Sequence, residues 1–424
     1  MQYSGHSWAL LASVAITLLL PRSGYGQGLP DEKRTAPPSA QPAAAPVGSA
    51  FRGFEIGDGG GDWSLTLSAL VQADGRFFLD VTEPGDTFLV RRARLDLRAT
   101  VARFFKLRLQ PEFAGSRLSL LDAYVNVGLL PEIELQAGKM KAPIGLELLQ
   151  STGANLFAEV GLPSLLVPNR DVGVVLQGKL MSGALEYQAG AFNGSPDGAS
   201  IEEDTSSDKD FEGRVFVRPF VPAGIEALSG LGLGVAGSHG DQRGGAAMAL
   251  RTPGRQVFFA YGDTVTARGH RTRVSPQGYY YLGPVGLLGE YVRSTEHVAA
   301  DATRRGVTTT AWQAVGSFVL GGTADYKGAK VSEPLDPEHG TWGAIEVAAR
   351  YGRLEVDEDA FAAGLADAET TSGAAENFGA AASWWFVTGS RLQLAFDHTA
   401  FQDTPGGSAH PEENVLVARL QVGL

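Results

Sequence analysis

The chain has 424 residues, a formal net charge of −12 and no cysteine. The lack of Cys excludes a disulfide scaffold, a thiolate metal site and a cysteine nucleophile, and the negative balance argues against a general nucleic-acid binder, which needs a basic face to displace counterions. Low-complexity disorder is excluded for the bulk, because 44% hydrophobic residues with 21 Phe, 11 Tyr and 6 Trp can bury a large apolar surface.

Trp8 to Leu20 (WALLASVAITLLL) is a continuous apolar run, too short to span a bilayer as a helix. Pro21 and Arg22 end it, and Gly24-Tyr25-Gly26 places small residues for cleavage before Gln27. Residues 1–26 are therefore read as an export signal peptide. A core element is the other reading, but nothing nearby could pack against such a run. Residues 27–61, rich in Pro, Ala, Gly and Ser, read as a disordered linker.

From residue 62 to 424 the dominant signal is a period of two. Leu89, Ala93, Leu95, Leu97, Ala99 and Val101 alternate with Arg92, Arg94, Asp96 and Arg98; Arg91 breaks the phase. Phe105, Leu107 and Leu109 alternate with Lys106, Arg108 and Gln110. Leu121, Ala123 and Val125 oppose Asp122, Tyr124 and Asn126, and Leu416, Ala418, Leu420 and Val422 oppose Val417, Arg419 and Gln421. Successive strand residues point to opposite faces, so each segment carries one apolar and one polar face. Sixteen strands are predicted, at 64–78, 86–102, 104–114, 118–128, 132–140, 170–181, 183–193, 211–220, 230–240, 268–283, 284–296, 307–321, 341–355, 374–388, 390–402 and 412–424, with 257–261 as a further short strand inside a long loop.

A soluble β-sandwich also alternates. Three features favour a membrane barrel: strands of about ten residues or more, short turns set against long polar connections, and aromatic residues at strand ends (Phe77-Phe78, Phe104-Phe105, Tyr279-Tyr280-Tyr281, Trp384-Trp385-Phe386). The expected fold is all-β, a transmembrane antiparallel barrel of about 16 strands around an aqueous lumen.

FLVRRARL at Phe88–Leu95, FKLRLQPEF at Phe105–Phe113, LDAYV at Leu121–Val125, AGKMKAPIGLE at Ala137–Glu147, LVPNRDVGV at Leu166–Val174, AFNG at Ala191–Gly194, SPQGYYY at Ser275–Tyr281 and GEYV at Gly289–Val292 together resemble, in order, the phosphate-selective porin O and P family. The resemblance implies a homotrimeric outer-membrane channel whose lumen-facing basic residues guide anions and whose pore is narrowed by an inward loop. Lys139 to Asp171 is the stretch most similar to that loop.

The charge pattern supports an anion path on its own terms. Between Asp86 and Leu120 stand Arg91, Arg92, Arg94, Arg98, Arg103, Lys106, Arg108 and Arg117 against Asp86, Asp96 and Glu112. An Arg fork binds phosphate bidentately and Lys binds it as a point charge, and rows of both make a pore anion-selective. The candidate pore-lining residues are Arg92, Arg94, Arg98, Lys106 and Arg108 on the early strands, Lys139 and Lys141 at the start of the inward loop, and Arg170 at its end. The competing reading is that these bases pair with Asp96, Glu112 and Asp122 and hold the wall together, giving a general diffusion porin. A structural or adhesive barrel with a plugged lumen is a further alternative.

Acids cluster at 197–212, 325–338 and 355–369, taken as long loops that are solvated or bridge to lipopolysaccharide through divalent cations. They lack calcium-loop spacing, so no metal site is expected. The seven His show neither an HExxH pattern nor a close pair, and Gly230–Gly234 reads as barrel wall rather than a phosphate loop. No catalytic residue and no cofactor are expected. The expected partners are small anions, phosphate among them, and outer-membrane lipid.

Overall fold

The computed structural model describes residues 53–79, 85–200, 207–301, 303–402 and 411–424. The segments read as an export signal and, for the most part, as a linker, and the acids Glu202, Glu203 and Asp204, lie outside the described residues.

Seventeen strands form one antiparallel sheet: β1 Phe54–Gly57, β2 Trp63–Phe78, β3 Thr87–Val101, β4 Phe105–Glu112, β5 Ser119–Leu130, β6 Ile133–Met140, β7 Asp171–Leu180, β8 Leu185–Phe192, β9 Asp210–Val217, β10 Leu231–Ala246, β11 Thr266–Leu282, β12 Val285–Ala300, β13 Thr303–Leu320, β14 Ala344–Val356, β15 Ala374–Val387, β16 Ser390–Gln402 and β17 Glu413–Gly423. Each of β2 to β17 pairs with the next, and β17 pairs back onto β2 over Leu70–Phe78, so these sixteen close a barrel. At the closing seam Arg419 sits opposite Asp74 and grips it with two charge-assisted bonds of 2.6 and 2.7 Å. β1, within the segment read as linker, covers the edge of β2 at Ser64–Leu67, beyond the reach of β17. An open edge there would be a template for unwanted pairing.

The alternation seen in the sequence becomes the two faces of the wall. Leu67, Val71, Leu107, Leu109, Val174, Leu176, Val235 and Leu394 are exposed on the outside, while Gln72, Asp74, Arg92, Asp122, Glu290 and Gln393 are buried within. A closed ladder with an apolar exterior satisfies every strand amide and suits hydrocarbon as solvent. The phase error at Arg91 has a structural cause. Gln72 pairs with Arg92 and Ala73 with Val90, so Arg91 is the extra residue of a β-bulge. The bulge turns Arg91 and Arg92 toward the same carboxylate in the lumen.

Two predicted connections differ. The expected loop between 296 and 307 is instead a tight hairpin, with β12 running to Ala300 and β13 starting at Thr303. Its outward positions Thr295, His297, Arg304 and Thr308 are polar, which hid the strand because the wall there extends past its apolar band. The acid-rich stretch at 325–338, expected among the long loops, connects β13 to β14 at the opposite, short-turn end and folds into the lumen. There Ala324 and Ala329 pack with Val319, Ala344 and Trp385, and the Tyr326 ring stacks on Tyr279 at 4.9 Å.

At the long-loop end, part of the lumen is filled by a hydrophobic cluster. Val292, Val298, Val307 and Leu354 of the wall pack against Phe258, Phe259 and Leu365 of two loops and Ile144, Leu162 and Leu166 of the inward loop. The predicted short strand at 257–261 is present as Val257–Ala260, paired with Ala249–Arg251.

Replacing Arg419 by Met leaves buried Asp74 with only the longer, 3.5 Å contact to Arg76, a loss of its main partner that costs roughly 3 kcal/mol. We expect the Arg419→Met barrel to unfold at a markedly lower temperature when its heat-modifiable migration is followed by gel electrophoresis. Unchanged migration would show that the seam does not depend on this pair.

Candidate functional site: the lumen and its inward loop

The segment between β6 and β7 enters the barrel. It contains only one helical turn, Leu146–Leu149, and two 3₁₀ turns, Thr152–Ala154 and Leu162–Leu166. Most of its carbonyls therefore need partners from elsewhere. The wall supplies them. Gln421 donates to Gly153 O at 3.0 Å, Arg391 to Asn155 O at 2.5 Å, Gln393 to Leu156 O at 2.8 Å, Arg419 to Ala158 O at 2.7 Å and Arg350 to Glu159 O at 3.0 Å. Further round the wall, Glu290 accepts from the Leu146 amide at 2.6 Å, and Gln313 bridges Glu290 and Glu147 at 2.8 and 2.9 Å.

The tip of the loop carries Glu159. Its carboxylate lies 2.6 Å from Arg76, 2.6 Å from Arg91, 3.6 Å from Arg92 and 3.9 Å from Arg419. Burial alone would push the Glu159 carboxyl up; Arg92, Arg91 and Arg76 outweigh it and hold the group well below the usual carboxylate range. The loop is thus latched to the β2–β3–β17 corner by one carboxylate among four guanidinium groups.

What the loop leaves open is a cavity of about 600 Å³ on its turn side, between β2–β4 and the loop. Arg94, Arg98, Arg108, Lys141, Arg170 and Lys327 line it together with one acidic side chain, Asp96. Arg94 pairs with Glu112 at 2.6 Å and donates to Thr152 at 2.8 Å. Arg98 and Arg108 share Asp96 at 2.6 and 2.8 Å; Arg108 and Arg170 share Asp122 at 3.0 and 2.9 Å. Each of these arginines touches a carboxylate, yet two of the carboxylates serve two bases each. Shared carboxylates leave net positive charge on the cavity wall. Arg98 projects furthest, with 58% of its side chain exposed against 4% for Arg170.

Of the other predicted residues, Arg92 lies at the Glu159 latch and donates to Gln72 at 2.7 Å. Lys106 is near the turn end, 3.2 Å from Glu134. Lys139 shares the register row of Ala123 and Val172 rather than that of the lumen-facing Asp122, and is buried. Lys141 donates to the carbonyls of Leu148 and Gln150 at 2.7 and 2.5 Å, capping the loop's helical turn. Burial, and next the Arg170 charge, push its ammonium down to about 7. The inward loop at 139–171 and the pairings with Asp96, Glu112 and Asp122 agree with the sequence reading. That reading did not single out Arg76, Arg91, Arg350, Arg391 and Arg419. Arg76, Arg350, Arg391 and Arg419 have an inward phase in their strands as their signal, whereas Arg91 is out of phase and is brought in only by the β-bulge. Glu159 carries no local signal at all. The expectation of no close histidine pair is also corrected: the His239 and His270 rings stack at 5.5 Å, and His297 lies 6.1 Å from His270.

Comparison with known proteins agrees with this geometry. The sequence profile of the family described as phosphate-selective porin O and P matches residues 67–424. No curated protein matches the chain. Among solved structures, the outer membrane channel DcaP of Acinetobacter baumannii is similar with a TM-score of 0.55 at 12% identity, covering 87% of this chain and 99% of that one. Outer-membrane expressed OmpT of Vibrio cholerae gives 0.54 at 11% identity, covering 86% and 98%. An anion-selective porin from Comamonas acidovorans gives 0.53 at 12%, covering 85% and 100%. At such identities the likeness shows the fold.

Two outcomes follow from the loop. Glu159→Gln removes the negative partner of the arginine corner; we expect the folded barrel to become cleavable by protease between Leu156 and Leu162, where the wild type resists. Lys141 carries its charge below a pH of about 7 and loses it above. Anion preference measured by reversal potential is therefore expected to be stronger at low pH than at high pH, and Lys141→Met is expected to remove that step.

Proposed function

The chain belongs to this porin family and forms a channel in the bacterial outer membrane, and from that premise we propose that it conducts small anions, phosphate among them, by passive diffusion as a homotrimer. The observation that carries the reading is the lumen cavity, where six cationic side chains face one carboxylate. In this reading Arg94, Arg98, Arg108, Lys141 and Arg170 guide the ion through the cavity. Arg92 acts at the latch and Lys106 near the turn-end entrance; Lys139, on the row that faces away from the lumen, takes no part. A low-dielectric wall focuses their field and concentrates counter-ions. Paired arginines suit this role because a site that holds an anion too firmly would not release it. The role is electrostatic guidance; no step of chemistry is assigned to any residue. The trimer rests on family membership and on the trimer form described for OmpT of Vibrio cholerae.

A second reading has its own observation. Connections fold inward at both ends, with Phe258 and Leu365 at one mouth and Tyr326 at the other. Such a barrel could be plugged, and it would then show no conductance after correct insertion.

The test is the reversal potential in a planar bilayer under a KCl gradient, with phosphate then added. We expect a chloride-side potential and block by phosphate. Arg94→Gln, Arg98→Gln and Arg108→Gln should each lower the anion-to-cation permeability ratio by about fivefold, the factor for ~1 kcal/mol of charge interaction in water. A cation-side or near-zero potential would overturn the anion reading.

A further inference from the structure

We propose that the outer wall of β10–β13, beyond its aromatic row, binds the phosphate groups of a phosphorylated glycolipid in the outer leaflet. This surface faces away from the lumen, so the inference stands apart from the ion-path reading. The height of the membrane boundary is marked on the wall itself. Tyr291 of β12 is in register with Trp312 of β13, and Trp312 lies 5.5 Å from Tyr351 of β14. Outward aromatic side chains at this kind of position sit at the interface between hydrocarbon and head groups. Toward the turn end from this row the outward residues are apolar, with Leu287 and Leu233 exposed.

In the other direction the character changes within two residues. Outward positions become Arg293, Thr295 and His297 on β12, Arg304 and Thr308 on β13, Arg268, His270 and Thr272 on β11, and His239, Asp241 and Arg243 on β10. Inward neighbours in the same strands, Arg271, Arg273, Glu296 and Val307, are buried, which fixes the outward facing of this set. β10 to β13 have 16 to 18 residues each, a length that among the other barrel strands only β2 reaches. Their extra length carries these side chains past the aromatic row to head-group height.

The cations here have few protein partners. Arg268, Arg293 and Arg304 are exposed, and their side chains make no ion pair or hydrogen bond with any described residue. Arg268 is placed directly opposite Arg243, and like charges across a strand pair destabilise it unless something neutral or negative intervenes. Two carboxylates reach the patch, Asp208 on Arg243 at 2.6 Å and Asp241 on His270 at 2.6 Å. The surface is also recessed. The Arg304 guanidinium lies over Gly269 beside the Cβ of His297, and the His297 ring lies over Gly306. A Cβ at residue 269 would meet the Arg304 guanidinium at 2.2 Å. The two glycines let an arginine and a histidine lie against the wall.

A membrane offers such a surface one abundant ligand at this height, the head-group phosphate. Guanidinium groups bind phosphate through paired donors, and basic side chains at a membrane surface are drawn to anionic lipid. Several bases spread over three adjacent strands match a head group carrying more than one phosphate.

The experiment uses the full chain in detergent, titrated with bisphosphorylated lipid A and with its phosphate-free form, the bound lipid being read by native mass spectrometry. The wild type is expected to hold the phosphorylated form at least about tenfold more tightly. The combined variant Arg268→Gln, Arg293→Gln and Arg304→Gln is expected to lose that difference while single-channel conductance stays unchanged. Should the variant fail to insert, the wild-type comparison of the two lipids still decides. Equal binding of both lipids, equal retention by variant and wild type, or cross-linking of position 268 or 304 to a second copy of the chain would each overturn the proposal.

Discussion

The inward loop stays in place because wall side chains, rather than the loop's own secondary structure, accept the task of pairing its backbone. Gln421, Arg391, Gln393, Arg419 and Arg350 donate to consecutive stretches of loop carbonyl. A buried carbonyl left without a donor costs about 1–3 kcal/mol, so this row of donors decides whether the segment lies inside the barrel or is expelled. Glu159 then closes the arrangement at the arginine corner. Arg419 works in both systems, holding the seam through Asp74 and the loop through Ala158. Barrel closure and loop placement are therefore one network.

That network makes the lumen lopsided. The loop is tied along β14, β16 and β17, and the space that remains lies against β2, β3 and β4. Arginines with the same inward phase consequently do two different jobs. Arg350 and Arg391 are fully buried; each gives one donor to a loop carbonyl and uses others on wall side chains, Asp397 and Asn377 for Arg350 and Ser383 for Arg391. Arg94, Arg98 and Arg108 border the cavity; Arg98 and Arg108 share Asp96, while Arg94 holds Glu112. Sharing keeps each guanidinium oriented while leaving the wall positive, a compromise between stability and attraction for a passing anion.

Much of the wall was legible from alternation alone. Strand phase gave the inward and outward sets, the strand count, and the carboxylate partners of the early arginines, because a period of two has a direct geometric meaning. The hairpin of β12 and β13 was missed because its outer face turns polar above the apolar band, so the signal that marks a lipid-facing strand is absent there. The stretch around Tyr326 was misplaced because an acidic composition fits a loop at either end, and only the count of strands crossing the barrel says which. Glu159 could not be found in advance, since four arginines from three strands meet it only after closure.

The sequence by itself determined the class of fold, the faces of nearly every strand, the excess of bases on β3 and β4, and the family, because these are local or periodic properties of the chain. Tertiary structure alone decided which arginines face water and which are bound to the loop, where Lys141 and Glu159 rest, and that three histidines meet on the outer wall. Those outcomes depend on segments far apart in the chain being brought together when β17 closes onto β2, and no spacing along one strand records that meeting.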